Sequence, residues 1–552
     1  MKDKEILIKK IESLKQGANE DTASVFNEII EQLKKNTYGL SWSEEGRKER
    51  VVEECERDLP VLRLDQSKTI DNGGLNNILI EGDNYHSLKA LNLLNKESVD
   101  VIYIDPPYNA KNYTFMYRDS FVNYDGTRHD RWLSFMDKRL RLAHSLLKED
   151  GVMFISIDES ELANLKLLCN QIFEEENFLV TMVIMNSLTG TQSSADFAQQ
   201  HSYCLAYRKS DQFRVNRISL SEKQIKEKYK YGEDEKGPYY VERLWKRGAG
   251  GLKEDVPTLH FPVWYNENNN EILIDKEING RDENDYTKIL PYQSKDVLGR
   301  WNWSKEKMKA DRDQLIMIKA ANKWKLYKKV YAVNEAGKKP QSLIDSGLGR
   351  TELGTKELNN IMGGKSFEYP KYSLFIKYLI SLHQNKDAVV MDFFAGSGTT
   401  GQAVLDLNRE DGGRRRFILC TNNENGICEK VTFPRIKTVI TGKRSDGSSY
   451  SEGREGKLYY FKTDFKNNRQ KDWIDGLFCI KENIFELQSR NKEYVHYADD
   501  DRHLFIEYAL KDIETFKDEL RKTAGEKIVY LKKDLNDELI DIDDLFIKKY
   551  PE

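Results

Sequence analysis

The sequence predicts an α/β protein with a doubly wound, mostly parallel sheet, a large insert in its middle and a further domain at its end. Three observations predict it. Strands and helices alternate from about residue 77 to 185, stop, and resume at about 374. Val101-Ile102-Tyr103-Ile104, the run of a buried parallel strand, ends abruptly in Asp105-Pro106-Pro107-Tyr108-Asn109. A second such run, Val389-Val390-Met391-Asp392, passes into a glycine-rich turn and then a helix.

A chain of 552 residues is too long for one ordinary core, so two or three domains are expected. With 39% hydrophobic and 32% charged residues it has enough apolar side chains for those cores and wide solvated faces besides. A net charge of -4 gives no whole-chain support for a polyanionic partner, although a local basic face can operate on a near-neutral protein. The six cysteines form no CxxC pair, so neither zinc nor a disulfide framework is expected. Met1-Lys2-Asp3-Lys4-Glu5 opens an amphipathic helix rather than a signal peptide, and no apolar run is long enough to span a bilayer. A cytoplasmic protein with no membrane partner is the expectation.

Residues 1–40 read as a helical appendage, with Ile6, Ile11 and Leu14 on one apolar face and Val25, Ile29 and Leu33 on another. The sheet begins at Asn77–Asn84, followed by a leucine helix (Leu88, Leu91, Leu94) and the proline-stopped strand. Tyr113, Phe115, Tyr117, Phe121 and Tyr124 then form an irregular aromatic loop, expected to cover the strand end and to order with substrate. Trp132, Phe135, Met136, Leu140, Ala143 and Leu147 repeat at helical spacing, and Gly151 is expected to end that helix before the strand 152–158. A helix at 160–175 and strands near 179–185 and 203–207 complete this half. From 186 to 362 no βαβ unit can be drawn. Lys246, Arg247, Lys253, Arg300, Lys305, Lys307, Lys309 and Arg312 lie among Trp245, Trp264, Trp301, Trp303 and Trp324, a mixture that fits either a nucleic-acid face or a solvated domain with tryptophans in its own core. After the return at 374–382 come the strand 387–394, a helix through Ala403 and Leu407, and the strand 417–420. Beyond 430 a helical stretch at 505–523 and a strand at 527–532 are expected, with no catalytic pattern.

Each proline after Asp105 fixes its own φ and donates no N–H, so this strand end is rigid and cannot extend a ladder. It holds one acid, free carbonyls and one ring at the carboxyl edge of a sheet, where open α/β folds bind ligands. Gly396, Gly398 and Gly401 satisfy GxGxxG between a strand and a helix, a setting in which the backbone can approach a cofactor at the helix N-terminus. Two cofactors compete there. A dinucleotide would place a pyrophosphate on the loop, whereas S-adenosylmethionine would set its methionine amine near Asp392 and its ribose near Glu424.

Asp105-Pro106-Pro107-Tyr108 together with Asp392-Phe393-Phe394-Ala395-Gly396-Ser397-Gly398 resembles the DNA amino-methyltransferases. The catalytic motif precedes the cofactor motif, with an insert of recognition-domain size between, which is similar to the circularly permuted beta-class order. Asn77–Asn109, Trp132–Glu161, Arg247–Pro262, Gly299–Lys307, Gly337–Thr355 and Phe417–Pro434 further resemble the modification subunits of type III restriction systems. The resemblance implies a Rossmann-like S-adenosylmethionine-dependent methyltransferase fold. It implies a catalytic half at 41–185, a target-recognition insert at 186–362, a cofactor half at 363–435 and an accessory or interaction domain at 436–552.

It also implies site roles. Asp105, Pro106, Pro107 and Tyr108 would be catalytic; Asp392, Phe393, Phe394, Ala395, Gly396, Ser397, Gly398, Thr399 and Thr400 would hold the cofactor. Lys371, in Pro370-Lys371 followed by Leu374, matches a further cofactor segment, and Glu424 stands in Asn422-Asn423-Glu424 where some members have Leu-Pro-Glu. Aspartate in the first motif position resembles the adenine-N6 enzymes more than the cytosine-N4 enzymes. Double-stranded DNA is the implied substrate, with a homodimer and a separate helicase-nuclease restriction subunit as implied partners. No Walker GxxxxGK[ST] sequence occurs here to drive cleavage from this chain.

Overall fold

The computed structural model describes residues 49–109, 127–188, 197–217, 229–246, 250–291, 297–320, 323–332, 339–465, 474–532 and 542–550, with shorter runs elsewhere. The aromatic loop from Tyr113 to Tyr124 and most of the N-terminal appendage, together with Arg247, lie outside the described residues. The chain divides into two compact units, one of residues 1–215 and 341–552 and one of residues 216–340.

Eleven strands form the main sheet of the larger unit. In chain order they are β1 (Pro60–Leu64), β2 (Ile70–Asp71), β3 (Asn76–Glu81), β4 (Val99–Ile104), β5 (Leu147–Ile157), β6 (Phe178–Met185), β7 (His201–Arg208), β8 (Leu343–Ile344), β9 (Val389–Asp392), β10 (Arg416–Thr421) and β11 (Lys457–Phe465). Their spatial order is β1-β11-β3-β10-β9-β4-β5-β7-β6-β8, with β2 also on β11. From β11 to β5 every pairing is parallel, while β7 is antiparallel to both β5 and β6.

Composition explains the centre of this sheet. All six residues of β4 are buried, as a strand covered on both faces by helices requires, and their β-branched and aromatic side chains suit it. Helices Asn84–Asn92, Thr127–Leu146 and Thr399–Asp411 supply Leu88, Leu91, Trp132, Met136, Leu140, Ala403 and Val404 to the buried interior. The strand order reverses between β4 and β9: from β4 the chain moves outward to β5, and from β9 it moves the other way to β10. Open α/β sheets bind ligands beyond the carboxyl ends of strands at such a point.

Several boundaries differ from expectation. The smaller unit begins at 216 rather than 186 and ends at 340 rather than 362. Its flanks are claimed by the main sheet, through β7 on one side and β8 beside β6 on the other. The main sheet also continues past 435, because β11 inserts between β1 and β3. Leu147 and Gly151 fall within β5, and the preceding helix ends at Leu146. A Cβ at Gly151 would sit 2.7 Å from the Leu147 side chain, so close packing, and not a helix cap, requires this glycine. The stretch 505–523 is split into strand Arg502–Glu507 and helix Ile513–Lys522, which crosses over to strand Glu526–Leu531 in a separate five-stranded sheet. Phe505 and Ile506 carry an apolar strand pattern that the charged residues after them disguise.

The smaller unit is built from antiparallel sheets, one of them ordered Leu315–Ala320, Lys323–Tyr331, Gly237–Arg243, Gly232–Asp234. Trp245, Trp264 and Trp301 are buried there, and Trp301 donates its Nε1–H to the Phe261 carbonyl at 2.8 Å. For these three rings the core reading holds, not the stacking-face reading. Many of its cations are engaged internally: Lys305 with Asp275, Lys307 with Asp311, and both Lys309 and Arg312 with Glu277. Among the described residues no helix is long and apolar enough to cross a membrane.

Candidate active site

Strands β4 and β9 lie 285 or more residues apart in the chain yet are parallel neighbours, with Val101 opposite Val390 and Ile102 opposite Met391. The loops that follow them therefore share one edge of the sheet. Asp105 stands one residue past β4, and its side chain is 28% exposed. Its Oδ1 accepts the Tyr108 hydroxyl at 2.6 Å and lies 2.9 Å from the Lys371 Nζ. Lys371 also donates to the Tyr108 oxygen at 2.7 Å, and its ammonium lies 5.1 Å from the centre of the Tyr108 ring. Burial and the neighbouring Asp105 charge push the Tyr108 phenol well above its ordinary range, so it remains a hydrogen-bond donor.

The rest of the proline loop is pinned from behind. The Pro107 carbonyl accepts the Trp132 indole N–H at 2.7 Å. Asn109 takes the left-handed backbone conformation at φ 57°, and its side-chain amide donates to buried Glu161 at 2.5 Å. The same Glu161 oxygen lies 2.6 Å from His129 Nδ1, and the other accepts Asn164 at 2.7 Å. Glu161 thus joins Asn109 to His129.

Asp392 ends β9 and is only 3% exposed. Its carboxylate accepts the Phe394 N–H at 3.0 Å and the Thr400 hydroxyl at 2.5 Å. Burial pushes its carboxyl up to about 7 against the pull of those two donors, and the charge of Asp105 adds to the rise. The glycine loop needs the left-handed region at Gly396 (φ 47°) and Gly398 (φ 80°). An added Cβ at Gly396 would make only ordinary contacts, 3.8 Å from the Phe394 carbonyl oxygen and 3.9 Å from the Phe367 ring, so it is the positive φ, not crowding, that calls for glycine there. At Gly401 it would meet Ile436 at 2.7 Å, so this third glycine serves helix packing instead.

Fully buried Arg435 braces the loop from beneath. Its guanidinium donates to Ser397 Oγ at 2.9 Å, Thr399 Oγ1 at 2.7 Å and Gln402 Oε1 at 2.7 Å, with Glu357 at 3.5 Å as counter-charge. Burial lowers it to about 10, so it keeps its charge at neutral pH. Thr432 donates to the Gly396 carbonyl at 2.6 Å.

The predicted residues therefore separate into groups. Asp105, Tyr108 and Lys371 meet directly. Asp392, Ala395, Gly396 and Gly398 shape the adjacent loop. The hydroxyls of Ser397, Thr399 and Thr400 turn inward to hold it. Phe393 has its side chain in the core, 1% exposed, and offers a ligand no ring. Phe394 is half-buried and packs 6.0 Å from Phe135. Lys371 faces two ways: its carbonyl accepts from Thr399 at 3.3 Å, and its ammonium points to Asp105. Glu424 lies just past β10 in a short turn containing Asn425 at φ 55°. Arg435, Glu357 and Glu161 were missed, because a lone charged residue in an apolar helix, or beside other acids, carries no periodic signal.

A family described as DNA methylase, of the N6/N4 methyltransferase type, matches residues 99–432, more than half of the chain. The chain is 34% identical over 370 residues to the type II methyltransferase M.KpnI of Klebsiella pneumoniae, covering 66% of this chain and 85% of that one. It is 32% identical over 423 residues to the type III EcoPI Mod subunit of Escherichia phage P1, covering 71% of this chain and 65% of that subunit. The StyLTI Mod subunit of Salmonella typhimurium is 30% identical over 474 residues, with 76% and 67% covered. The chain thus spans about two thirds of the length of these Mod subunits. Among solved structures, a PvuII DNA methyltransferase specific for cytosine N4 is 11% identical, with 63% of this chain and 83% of that one covered and a TM-score of 0.32, too loose a likeness to carry an argument.

Proposed function

This chain belongs to the N6/N4 DNA methylase family, and we propose that it transfers a methyl group from S-adenosylmethionine to the N6 amine of an adenine flipped out of double-stranded DNA. The observation that carries the reading is the parallel pairing of β4 with β9, which puts Asp105 and the glycine loop on one edge. Two features fit the cofactor: the Asp392 carboxyl as acceptor for an ammonium, and a helix start after Gly398 with no side-chain cap. Glu424, past the next strand, is the proposed ribose contact.

The cofactor, when bound, supplies an electrophilic methyl group on a sulfonium. The chain's own part is orientation. An exocyclic amine conjugated to a ring is a poor nucleophile because its lone pair is delocalised. Hydrogen bonds from its two N–H groups to the Asp105 carboxylate and the Pro106 carbonyl favour a pyramidal nitrogen with its lone pair exposed. Pro106 and Pro107 keep that geometry rigid, and Tyr108 offers the flipped base a stacking face. A proton leaves the nitrogen after transfer.

Residues 216–340 are proposed as the target-recognition domain, supported by their insertion between the two motif halves and by cations such as Lys246, Lys253 and Lys325. A homodimer is proposed as the working form, and similarity to Mod subunits of type III restriction-modification enzymes supports a separate restriction subunit as partner. The test is to incubate purified protein with labelled cofactor and unmethylated genomic DNA, then digest the product to nucleosides. N6-methyladenine is expected. Label in N4-methylcytosine would overturn the base assignment, and unlabelled DNA would overturn the reaction.

A further inference from the structure

The contacts of Asp105 fall on one oxygen only. Oδ1 receives both the Tyr108 hydroxyl, at 2.6 Å, and the Lys371 ammonium, at 2.9 Å. Among the described residues, Oδ2 receives no hydrogen bond. A carboxylate with one oxygen held by two donors has lost its rotation about χ2, and its second oxygen is presented in one direction. The same ammonium bonds to the Tyr108 oxygen at 2.7 Å and sits at the hydroxyl end of that ring, 5.1 Å from its centre. One cation therefore fixes both the acid and the hydroxyl end of the ring.

We infer that Lys371 is a positioning residue for methyl transfer, clamping Asp105 Oδ1 and the Tyr108 hydroxyl so that Asp105 Oδ2 meets the target amine. The assignment rests on the methyltransferase reading above and gives Lys371 a role other than holding the cofactor. Its main chain belongs to the cofactor side, through the Thr399 hydroxyl on its carbonyl, and its side chain to the substrate side. The segment thereby ties the two motif loops together. Lysine suits the task because a compact ammonium with three donors can serve a carboxylate and a phenol at once. Methionine at this position would keep the length of the side chain and lose both bonds. Arginine would keep the charge and the donors.

The test compares wild type, Lys371→Met and Lys371→Arg by single-turnover methylation of unmethylated genomic DNA at saturating cofactor, together with equilibrium binding of the cofactor and of DNA. For Lys371→Met the methylation rate should fall about tenfold to a hundredfold, the range expected for a misplaced reacting group. Cofactor and DNA dissociation constants should stay within about twofold of wild type, and Lys371→Arg should recover most of the lost rate. A Met variant with an unchanged rate overturns the assignment. So does one whose cofactor affinity falls while its rate at saturation is preserved, since Lys371 would then be a cofactor contact. A wild-type protein that transfers no label overturns the methyltransfer reading itself, and that arm separates the two failures.

Discussion

Asp105 and Asp392 end neighbouring parallel strands on the same sheet edge, yet their surroundings are opposite. Asp105 is 28% exposed and has a cation and a phenol on one oxygen. Asp392 is 3% exposed, and among the described residues its donors are a neutral hydroxyl and a backbone amide. The first acid stands partly exposed at the rim with a fixed ammonium beside it. Burial without a cation pushes the second up to about 7 and leaves it poised to favour an incoming positive charge. One sheet edge thus presents two carboxylates with different tasks, separated by local desolvation and not by residue type. Their loops differ in the same sense: proline rigidity holds one, and a buried guanidinium holds the other.

The largest expected effect tests the exposed member. Asp105→Ala should lower methyl incorporation by at least about 10²–10³-fold, the scale of removing one group that stabilises a transition state. DNA binding by filter retention should survive. A near wild-type rate would make the two acids equivalent bystanders.

Arg435→Met comes next and tests how the buried loop is held. Removing one partner of a buried, hydrogen-bonded charge costs about 3–5 kcal/mol, and the partly exposed Glu357 left behind places the cost here near the lower end. The apparent Tm should drop by several degrees, and cofactor affinity should weaken with it. An unchanged Tm would show the guanidinium to be dispensable.

Asp392→Asn should weaken cofactor binding by about tenfold, the equivalent of roughly 1.4 kcal/mol, and should also remove a pH dependence. In the cofactor-free protein the folded carboxyl holds its proton up to about 7, whereas the unfolded one releases it near 3.8. The folded state then binds more protons between those values, so this group's contribution to stability falls as pH rises from about 4 to 7. Thermal melts should show that decline in wild type and a flatter profile in the Asn variant. Cofactor binding should release protons near pH 6.5 in wild type, measured by calorimetry in two buffers, and should release fewer in the variant.

The smallest effect is expected for Tyr108→Phe, which deletes the hydroxyl bond to Asp105 but keeps the ring. A loss of about threefold to tenfold in rate, on the order of the net contribution of one hydrogen bond, is expected. A loss as large as that of Asp105→Ala would move the phenol from support to chemistry.

Much of this arrangement was legible in the residues. The apolar runs 101–104 and 389–392 are strands because β-branched side chains suit a sheet covered on both faces, and their stops are visible as prolines and glycines. The boundaries of the insert were less legible, because β8 joins β6 across more than a hundred intervening residues and nothing local marks that pairing. The tryptophans of the smaller unit show the same limit: a ring beside lysines in sequence can stand in the core, as Trp301 does, once its N–H finds a carbonyl.

What the sequence by itself determined were the two loops and the residue types they carry, since proline and glycine act on their own backbone. Tertiary structure decided which charges meet. It set Lys371 on Asp105 across more than 260 residues, placed Arg435 under the glycine loop, and gave Asp105 and Asp392 different environments. Local propensity reaches only a few residues along the chain. Desolvation and ion pairing depend on whatever folds alongside.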